Sequence, residues 1–375
     1  MNLSMRNIPR VTIIILTYQR HNFIRRQMLY YANYSVQLIF ADGSANSWEH
    51  GDQGSNANMR WDYIHHPGYD TYRERLYLAL EKVHTDYVCL LDDQECILWT
   101  GIISAINTLE NNPDHSCAGG LVAIYDSLRN DLKAWKGFSK LDLTDSSTIN
   151  RFNRIVGPEH LAANLVYQVM RTEDLRNFSD NMRDHYGKSA ATLEVALAGF
   201  LALKGKYLTG QYPYWIRNGG TVPLPNGFEV VIDSAEIKRI SLKLIDSLRI
   251  KSDLGMQEII TTDTLTEAIE VGWGRSSKWA KDSRKYFEGI RMNKSIKRRL
   301  RTKFATIIKA IMPLIYDAYI SLKKSEKGDS LSFIEYAKTY SDYSYEVVSD
   351  MLLQEKIWKI FPNGIPPEFW PVSPQ

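Results

Sequence analysis

Along the first 125 residues, short apolar runs alternate with stretches whose apolar positions recur at helical spacing. Val11–Leu16 is an apolar run, the pattern of a strand buried on both faces. Asn22–Tyr34 reads as a helix with Asn22 as its candidate N-cap. Val36–Ala41 reads as a second strand, ending at Asp42-Gly43-Ser44, and Asp62–His65 as a third, closed by Pro67-Gly68. Tyr72, Leu76, Ala79, Leu80 and Val83 place an amphipathic helix over Thr71–His84. Tyr87–Leu91 is a fourth strand running into Asp92-Asp93-Gln94-Glu95, Thr100–Asn111 a helix stopped before Pro113, and Cys117–Ile124 a further strand containing Gly119-Gly120. Strands alternating with helices predict an α/β fold with a mostly parallel sheet flanked by helices. In such sheets ligands collect beyond the carboxyl ends of the strands.

The pattern then weakens. Residues 126–192 are polar and only weakly periodic, and loops, a helix and short strands covering the site are expected there. Leu193–Lys204 reads as a helix with Gly205 as C-cap, and Tyr212 to Gly220 as an aromatic loop. From about residue 232 the pattern is mainly helical and richer in lysine. The expected boundary lies near 230, after the Pro/Gly cluster at 223–227, giving an N-terminal α/β domain (1–230) and a mainly α-helical C-terminal part (231–375).

Composition narrows the class. The chain has 375 residues, 44% hydrophobic and 24% charged, with a net charge of +3. These values suit a folded protein of two domains or one large domain with an appendage, and the charge is too balanced to mark a nucleic-acid binder. Three cysteines (Cys89, Cys96, Cys117) with no CxxC pair argue against a disulfide framework and a structural zinc site. No apolar run reaches transmembrane length, so a cytoplasmic protein is expected. The basic run Lys294, Lys297, Arg298, Arg299, Arg301 and Lys303 leads into apolar positions at helical spacing as far as Leu322. It reads either as a membrane-surface or partner-binding helix or as a core helix with a charged flank. A homodimer built by the helical part is left open.

Three strand exits carry chemistry: Thr17-Tyr18-Gln19-Arg20, Asp42-Gly43-Ser44 and Asp92-Asp93-Gln94-Glu95. The last is oxygen-rich, as a hard divalent cation such as Mg²⁺ or Mn²⁺ requires, although an acidic turn is the plainer alternative. His65-His66 reads as turn chemistry. Arg20-His21 and Arg25-Arg26 read as phosphate-attracting or as a solvated helix face.

The order Ile13–Arg20, Phe40-Ala41-Asp42-Gly43-Ser44, Arg73-Glu74-Arg75, Tyr87–Gln94 and Ala118-Gly119-Gly120 resembles that of the GT-A fold glycosyltransferases, specifically the family 2 type, over about residues 10–125. The resemblance implies an inverting transfer of sugar from a nucleotide-sugar, with a UDP-sugar as the expected donor. The acceptor would be a hydroxyl of a glycan or lipid-linked acceptor in surface polysaccharide synthesis, such as capsule or O-antigen. It implies that Asp42 binds the nucleobase or ribose, that Thr17, Tyr18 and Arg20 border the nucleotide, that Arg73 or Arg75 approaches the diphosphate, and that Asp92 contacts donor sugar or ribose. The family's metal-binding aspartate falls at Gln94, a departure from the pattern, so Asp93 or Glu95 would substitute as ligand to Mn²⁺ or Mg²⁺, or metal dependence is weak. The general base, expected at a helix start after the Gly-Gly strand, would be Glu194, with Asp184 as runner-up; Val195 stands where a paired aspartate is expected. Trp215 and Arg217 in the aromatic segment would close on diphosphate and acceptor, or simply pack between domains. The alternatives are a catalytically inactive scaffold binding a glycan or nucleotide, and a nucleotidyltransferase, against which the glycine-free Thr17–Arg20 turn argues.

Overall fold

The computed structural model describes residues 9–49, 53–55, 58–68, 71–126, 131–134, 141–156, 165–182, 190–218 and 345–360. Strand β1 (Val11–Thr17) lies at the centre of a seven-stranded sheet, with every residue buried. It pairs in parallel with β2 (Gln37–Asp42) on one side and with β5 (Tyr87–Asp92) on the other. β2 pairs in parallel with β4 (Arg60–His65), and the short β3 (Gln53–Ser55) closes that edge antiparallel. The apolar runs are buried from both sides because helices cover both faces of a parallel sheet. Two of these helices, α1 (His21–Tyr31) and α2 (Tyr72–Lys82), follow β1 and β4.

After β5 the chain leaves the sheet through the acidic turn and enters a second, four-stranded sheet as β6 (Cys96–Ile97). Helix α3 (Trp99–Asn111) follows, burying Ile102, Ala105, Ile106 and Leu109 along one stripe. The expected single strand Cys117–Ile124 is two strands. β7 (Cys117–Ala118) ends the first sheet, and β8 (Leu121–Asp126) belongs to the second, beside β9 (Asp131–Ala134). The break falls at Gly119-Gly120, where the backbone passes hard against its neighbours. A Cβ on Gly119 would sit 1.3 Å from the Gln168 amide oxygen, and one on Gly120 2.2 Å from the Tyr212 carbonyl oxygen.

The weakly periodic segment holds more structure than its pattern suggests. β10 (Asp142–Leu143) precedes α4 (Thr148–Val156). β11 (Val169–Arg171) inserts antiparallel between β5 and β7 of the main sheet and leads into α5 (Thr172–Met182). α6 spans Ala190–Lys204, three residues earlier in its start than the sequence suggests, and Gly205 donates its N–H to the Leu201 carbonyl at its end. β12 (Tyr207–Leu208) pairs with β10. The aromatic segment is a strand rather than a loop: β13 (Pro213–Asn218) runs between β6 and β8, with Tyr214, Trp215 and Ile216 fully buried.

The boundary expected near 230 and the basic run 294–322 lie outside the described residues. Of the segment 231–375, the described part is α7 (Tyr345–Ile360), and it packs on the α/β unit against α1 and α3. Asp350 accepts hydrogen bonds from Tyr34 Oη at 3.0 Å, from Thr100 N at 2.9 Å and Oγ1 at 2.8 Å, and from Tyr30 Oη. It thereby caps the first turn of α3. Among the described residues, no helix is long and apolar enough to cross a membrane.

The Gly120 site yields a stability prediction. Gly120→Ala must push the Tyr212 backbone, and we expect a loss of about 1–3 kcal/mol, read as a lower urea midpoint. An unchanged midpoint would show that the two sheets can separate at this hinge without cost.

Candidate functional site

The registers decide which residues meet. β1 and β2 align Thr17 with Asp42, and β1 and β5 align Leu16 with Asp92. All three polar strand exits therefore open side by side at the carboxyl edge of the sheet, where an α/β sheet places its ligand crevice.

Asp42 is fully buried and its carboxylate is well supplied. Oδ1 accepts from Ser44 N at 2.8 Å and from Ser44 Oγ, while Oδ2 lies 2.6 Å from both His21 Nε2 and Tyr63 Oη. Burial alone would raise its pKa, but hydrogen bonds from His21, Ser44 and Tyr63 outweigh it and hold the carboxyl below its usual range. Ser44 Oγ also accepts from Gln19 N at 2.6 Å, and Gln19 sits at φ 56°, a left-handed conformation at the exit of β1. Such strain in a non-glycine residue costs on the order of 1–3 kcal/mol and persists only where its surroundings enforce it. Tyr18 is half-buried beside it, its hydroxyl 3.4 Å from Gln19 Nε2.

Arg75 and Arg73 diverge from the expectation that one of them approaches a diphosphate. Arg75 is buried, and its Nη1 donates to the carbonyls of Thr17 (2.9 Å) and Ala41 (2.8 Å), tying the ends of β1 and β2 together. Gly43 makes room for it, since a Cβ there would lie 2.8 Å from Arg75 Cζ. Arg73 is partly exposed and pairs with its neighbour Glu74. The arginines that do stand among the carboxylates are Arg20 and Arg217.

Within the acidic turn Asp93 and Glu95 are buried, and each faces a cation. Asp93 is 0% exposed; its Oδ2 accepts from Thr17 Oγ1 at 2.6 Å and lies 3.1 Å from Arg20 Nε. Burial pushes its pKa up to about 6, against the pull of Arg20 and Thr17. Glu95 Oε1 lies 3.1 Å from Arg217 Nε, and its Oε2 accepts from Trp215 Nε1 at 2.8 Å. The β6–β13 register explains this pair: Ile216 faces Cys96, so Arg217 arrives beside Glu95. The backbone of the turn is held by α1, where Gln27 Nε2 donates to the carbonyls of Asp93 (2.9 Å) and Glu95, and Arg26 Nη2 to that of Gln94 (2.6 Å). Arg25 and Arg26 are buried here rather than lying on a solvated face.

The side chains named as metal ligands do not form a cation site. Asp93 is committed to Thr17 and Arg20, and Glu95 to Trp215 and Arg217; each arginine supplies charge that a bound cation would otherwise supply. Buried Gln94 Oε1 and Asp93 Oδ1 lack hydrogen-bond partners among the described residues. An amide and one carboxylate oxygen are a poor donor set for Mn²⁺ or Mg²⁺. Among the described residues no three His, Cys, Asp or Glu side chains group as ligands.

Asp92 and Glu194 form a different arrangement. Tyr167 Oη lies 3.5 Å from Asp92 Oδ2 and 3.4 Å from Glu194 Oε1, so one neutral hydroxyl stands between two acids from different elements. Burial pushes Glu194 up to about 7, with the Asp92 charge adding to it. Burial raises Asp92 as well. Glu194 is the fifth residue of α6 rather than a helix-start acid, so favourable contact with the helix dipole does not account for it. Asp184 lies outside the described residues. Trp215 is fully buried: its ring stacks on Tyr167 at 4.6 Å between centroids, and it supports the site from inside instead of facing a ligand. Arg217 Cζ lies 5.2 Å from that ring, and 28% of its side chain is exposed.

Sequence reasoning missed Tyr167 and Tyr63, and it read His21 as phosphate-attracting or solvated rather than as a partner of Asp42. Tyr167 falls in the weakly periodic segment, and its only signal is the apolar Leu165-Val166-Tyr167 run ahead of β11. His21 and Tyr63 carry no signal, since their role follows from a register. His65 Nε2 bonds the Ser44 carbonyl at 2.7 Å, in keeping with turn chemistry.

No protein-family model matches the chain, and no curated protein matches it in sequence. Among solved structures, S. aureus TarS aligns with a TM-score of 0.40 at 14% identity, over 65% of this chain and 42% of that one. This chain thus spans less than half the length of that structure. S. aureus TarS 1-349 aligns with a TM-score of 0.44 at 12% identity over 73% of each chain. Its complex with UDP-GlcNAc aligns with a TM-score of 0.40 at 14% identity, over 62% of this chain and 66% of that one.

The bonds to Asp42 lead to a pH prediction. A carboxyl whose pKa is lowered on folding contributes stability that is present above its unfolded value, about 3.9, and is lost as pH falls through the folded value. Melting temperature should therefore drop for the wild type below about pH 4. Asp42→Asn should be less stable at pH 7 and show a shallower acid limb. Parallel acid limbs would remove Asp42 from the linkage.

Proposed function

We propose that this protein transfers a sugar from a nucleotide-activated donor to an acceptor hydroxyl, with inversion, and that Glu194 is its general base. The observation that carries the reading is the Glu194–Tyr167–Asp92 arrangement, set beside the partly exposed Arg20 and Arg217 at the carboxyl ends of three parallel strands. Parallel-sheet crevices bind nucleotides at this edge, and paired acids with raised pKa values suit proton abstraction near neutral pH.

In the proposed step the deprotonated Glu194 takes the proton of the acceptor hydroxyl as its oxygen attacks the anomeric carbon. The bond from that carbon to the diphosphate oxygen breaks, and the electron pair leaves with the nucleoside diphosphate. Arg20 and Arg217 offer guanidinium charge to the developing phosphate negative charge. Asp92, held by the Tyr167 hydroxyl, faces the donor sugar or ribose. Asp42 and Ser44 shape the nucleoside end of the crevice with Tyr18 at its mouth. The sequence resemblance supports a UDP-linked donor and a glycan or lipid-linked acceptor.

A thermal-shift panel of UDP-, GDP-, CMP- and dTDP-sugars tests the donor, because a ligand that binds the native state raises the melting temperature by mass action. One nucleotide class should shift it, and a flat panel would move the protein to the scaffold reading. Glu194→Gln should lower transfer by about 10²–10⁴-fold while leaving the donor shift intact. In the wild type, kcat/KM should rise with pH up to about 7 and level off above it, since the base acts only when deprotonated. Full turnover in Glu194→Gln would assign the base elsewhere.

A further inference from the structure

The C-terminal helix α7 reaches the acidic turn through α1, far from its own place in the sequence. Arg26 is a fully buried cation whose Cζ sits 4.0 Å from the Trp358 ring and 4.7 Å from the Phe23 ring, and whose Nη2 donates to the Gln94 carbonyl at 2.6 Å. Next to it, Gln27 holds the carbonyls on either side, those of Asp93 and Glu95. Trp358 is itself 1% exposed, and its ring packs edge-on against Tyr125 at 4.9 Å between centroids. The same helix holds Cys96, the first residue of β6, through Gln354 Nε2, and anchors on Tyr30, Tyr34 and Thr100 through Asp350.

A buried guanidinium is costly unless its charge is compensated. Here an aromatic face covers it from one side, and a turn carbonyl accepts from it on the other. If the cover is removed, water reaches Arg26, and hydration competes with the Gln94 carbonyl for its donors. Of the two α1 side chains that bond the turn's carbonyls, Gln27 would then act without Arg26. We infer that Trp358 is a positioning residue, acting through Arg26 to set the backbone of the Asp92–Glu95 turn. The inference rests on reading that turn as part of the active site, although the contact chain itself does not depend on any donor.

The Glu95 amide is a built-in reporter, since it closes the turn on the Asp92 carbonyl at 3.0 Å. The experiment is amide hydrogen exchange on the full chain, for wild type, Trp358→Leu, Trp358→Phe and Arg26→Lys. Trp358→Leu should speed exchange at Glu95 by roughly tenfold or more while Leu38 and Ile39 in β2 stay at the wild-type rate. Trp358→Phe, which restores an aromatic face, should bring Glu95 back toward wild type. Arg26→Lys, which leaves Trp358 in place but shortens the reach to Gln94, should speed Glu95 as the Leu variant does, and it serves as the test if Trp358→Leu fails to fold. Wild-type exchange at Glu95 in the Leu and Lys variants would overturn the inference. So would exchange at Glu95 rising in step with Leu38 and Ile39, which is global destabilisation. Where a UDP-sugar is turned over, Trp358→Leu should lower kcat more than it changes KM, with rescue by Trp358→Phe. A protein that binds no nucleotide-sugar would sink the transferase reading and leave the exchange result standing.

Discussion

Setting three acidic side chains and an amide within four residues, with Asp93 and Glu95 fully buried, is the constraint around which this structure is arranged. Unpaired carboxylates do not survive in a protein interior, so cations must be delivered to Asp93 and Glu95 from elsewhere in the chain. Arg20 comes from the exit of β1, and Arg217 comes from β13, more than a hundred residues later. That second delivery requires β13 to pair with β6, and the pairing ties the acidic turn to a second sheet. The paired glycines at 119 and 120, which let the chain cross from β7 to β8, belong to the same arrangement, because β8 is the other neighbour of β13.

The charges are thereby sorted. Asp93 and Glu95 face guanidinium groups, whereas Asp92 and Glu194 face each other across the neutral Tyr167 hydroxyl. Asp93 and Glu95 tie Arg20 and Arg217 into the fold; burial raises the proton affinity of Glu194 and of Asp92 against the more distant pull of Arg217. The buried Trp215 links the two halves, stacking on Tyr167 while bonding Glu95. Of the two roles open to Trp215, contact with a ligand or packing, the fold shows packing.

Much of the first sheet was legible because its signals are local. A strand buried on both faces is mostly apolar, as Val11–Leu16 (with the hydrogen-bonded Thr12 its exception) and Tyr87–Leu91 are, and polar strand exits stand out against such runs. The same logic failed where burial depends on partners distant in sequence. β11 is three residues long and gains its place from β5 and β7 rather than from any periodicity. β13 looked like a loop because its Pro and its clustered aromatics read as punctuation and ligand contacts, although aromatic residues are equally at home in a central strand. Arg75 illustrates the limit for single residues: its charge suggested phosphate, yet two backbone carbonyls and the space left by Gly43 claim it.

The amino-acid sequence by itself determined the alternation of strands and helices, the parallel core and the three chemically marked exits, since hydrophobic period and turn chemistry act over a few residues. Only the tertiary structure decided which carboxylates meet a guanidinium and which meet the Tyr167 hydroxyl. That outcome depends on strand register and on side chains arriving from β13, from the segment before β11 and from α6, and pairing energies between distant segments leave no periodic trace in the chain. The same holds for Tyr167, Tyr63 and His21. Each is an ordinary residue in its own neighbourhood, and each acquires its role from the one or two atoms that the fold sets beside it.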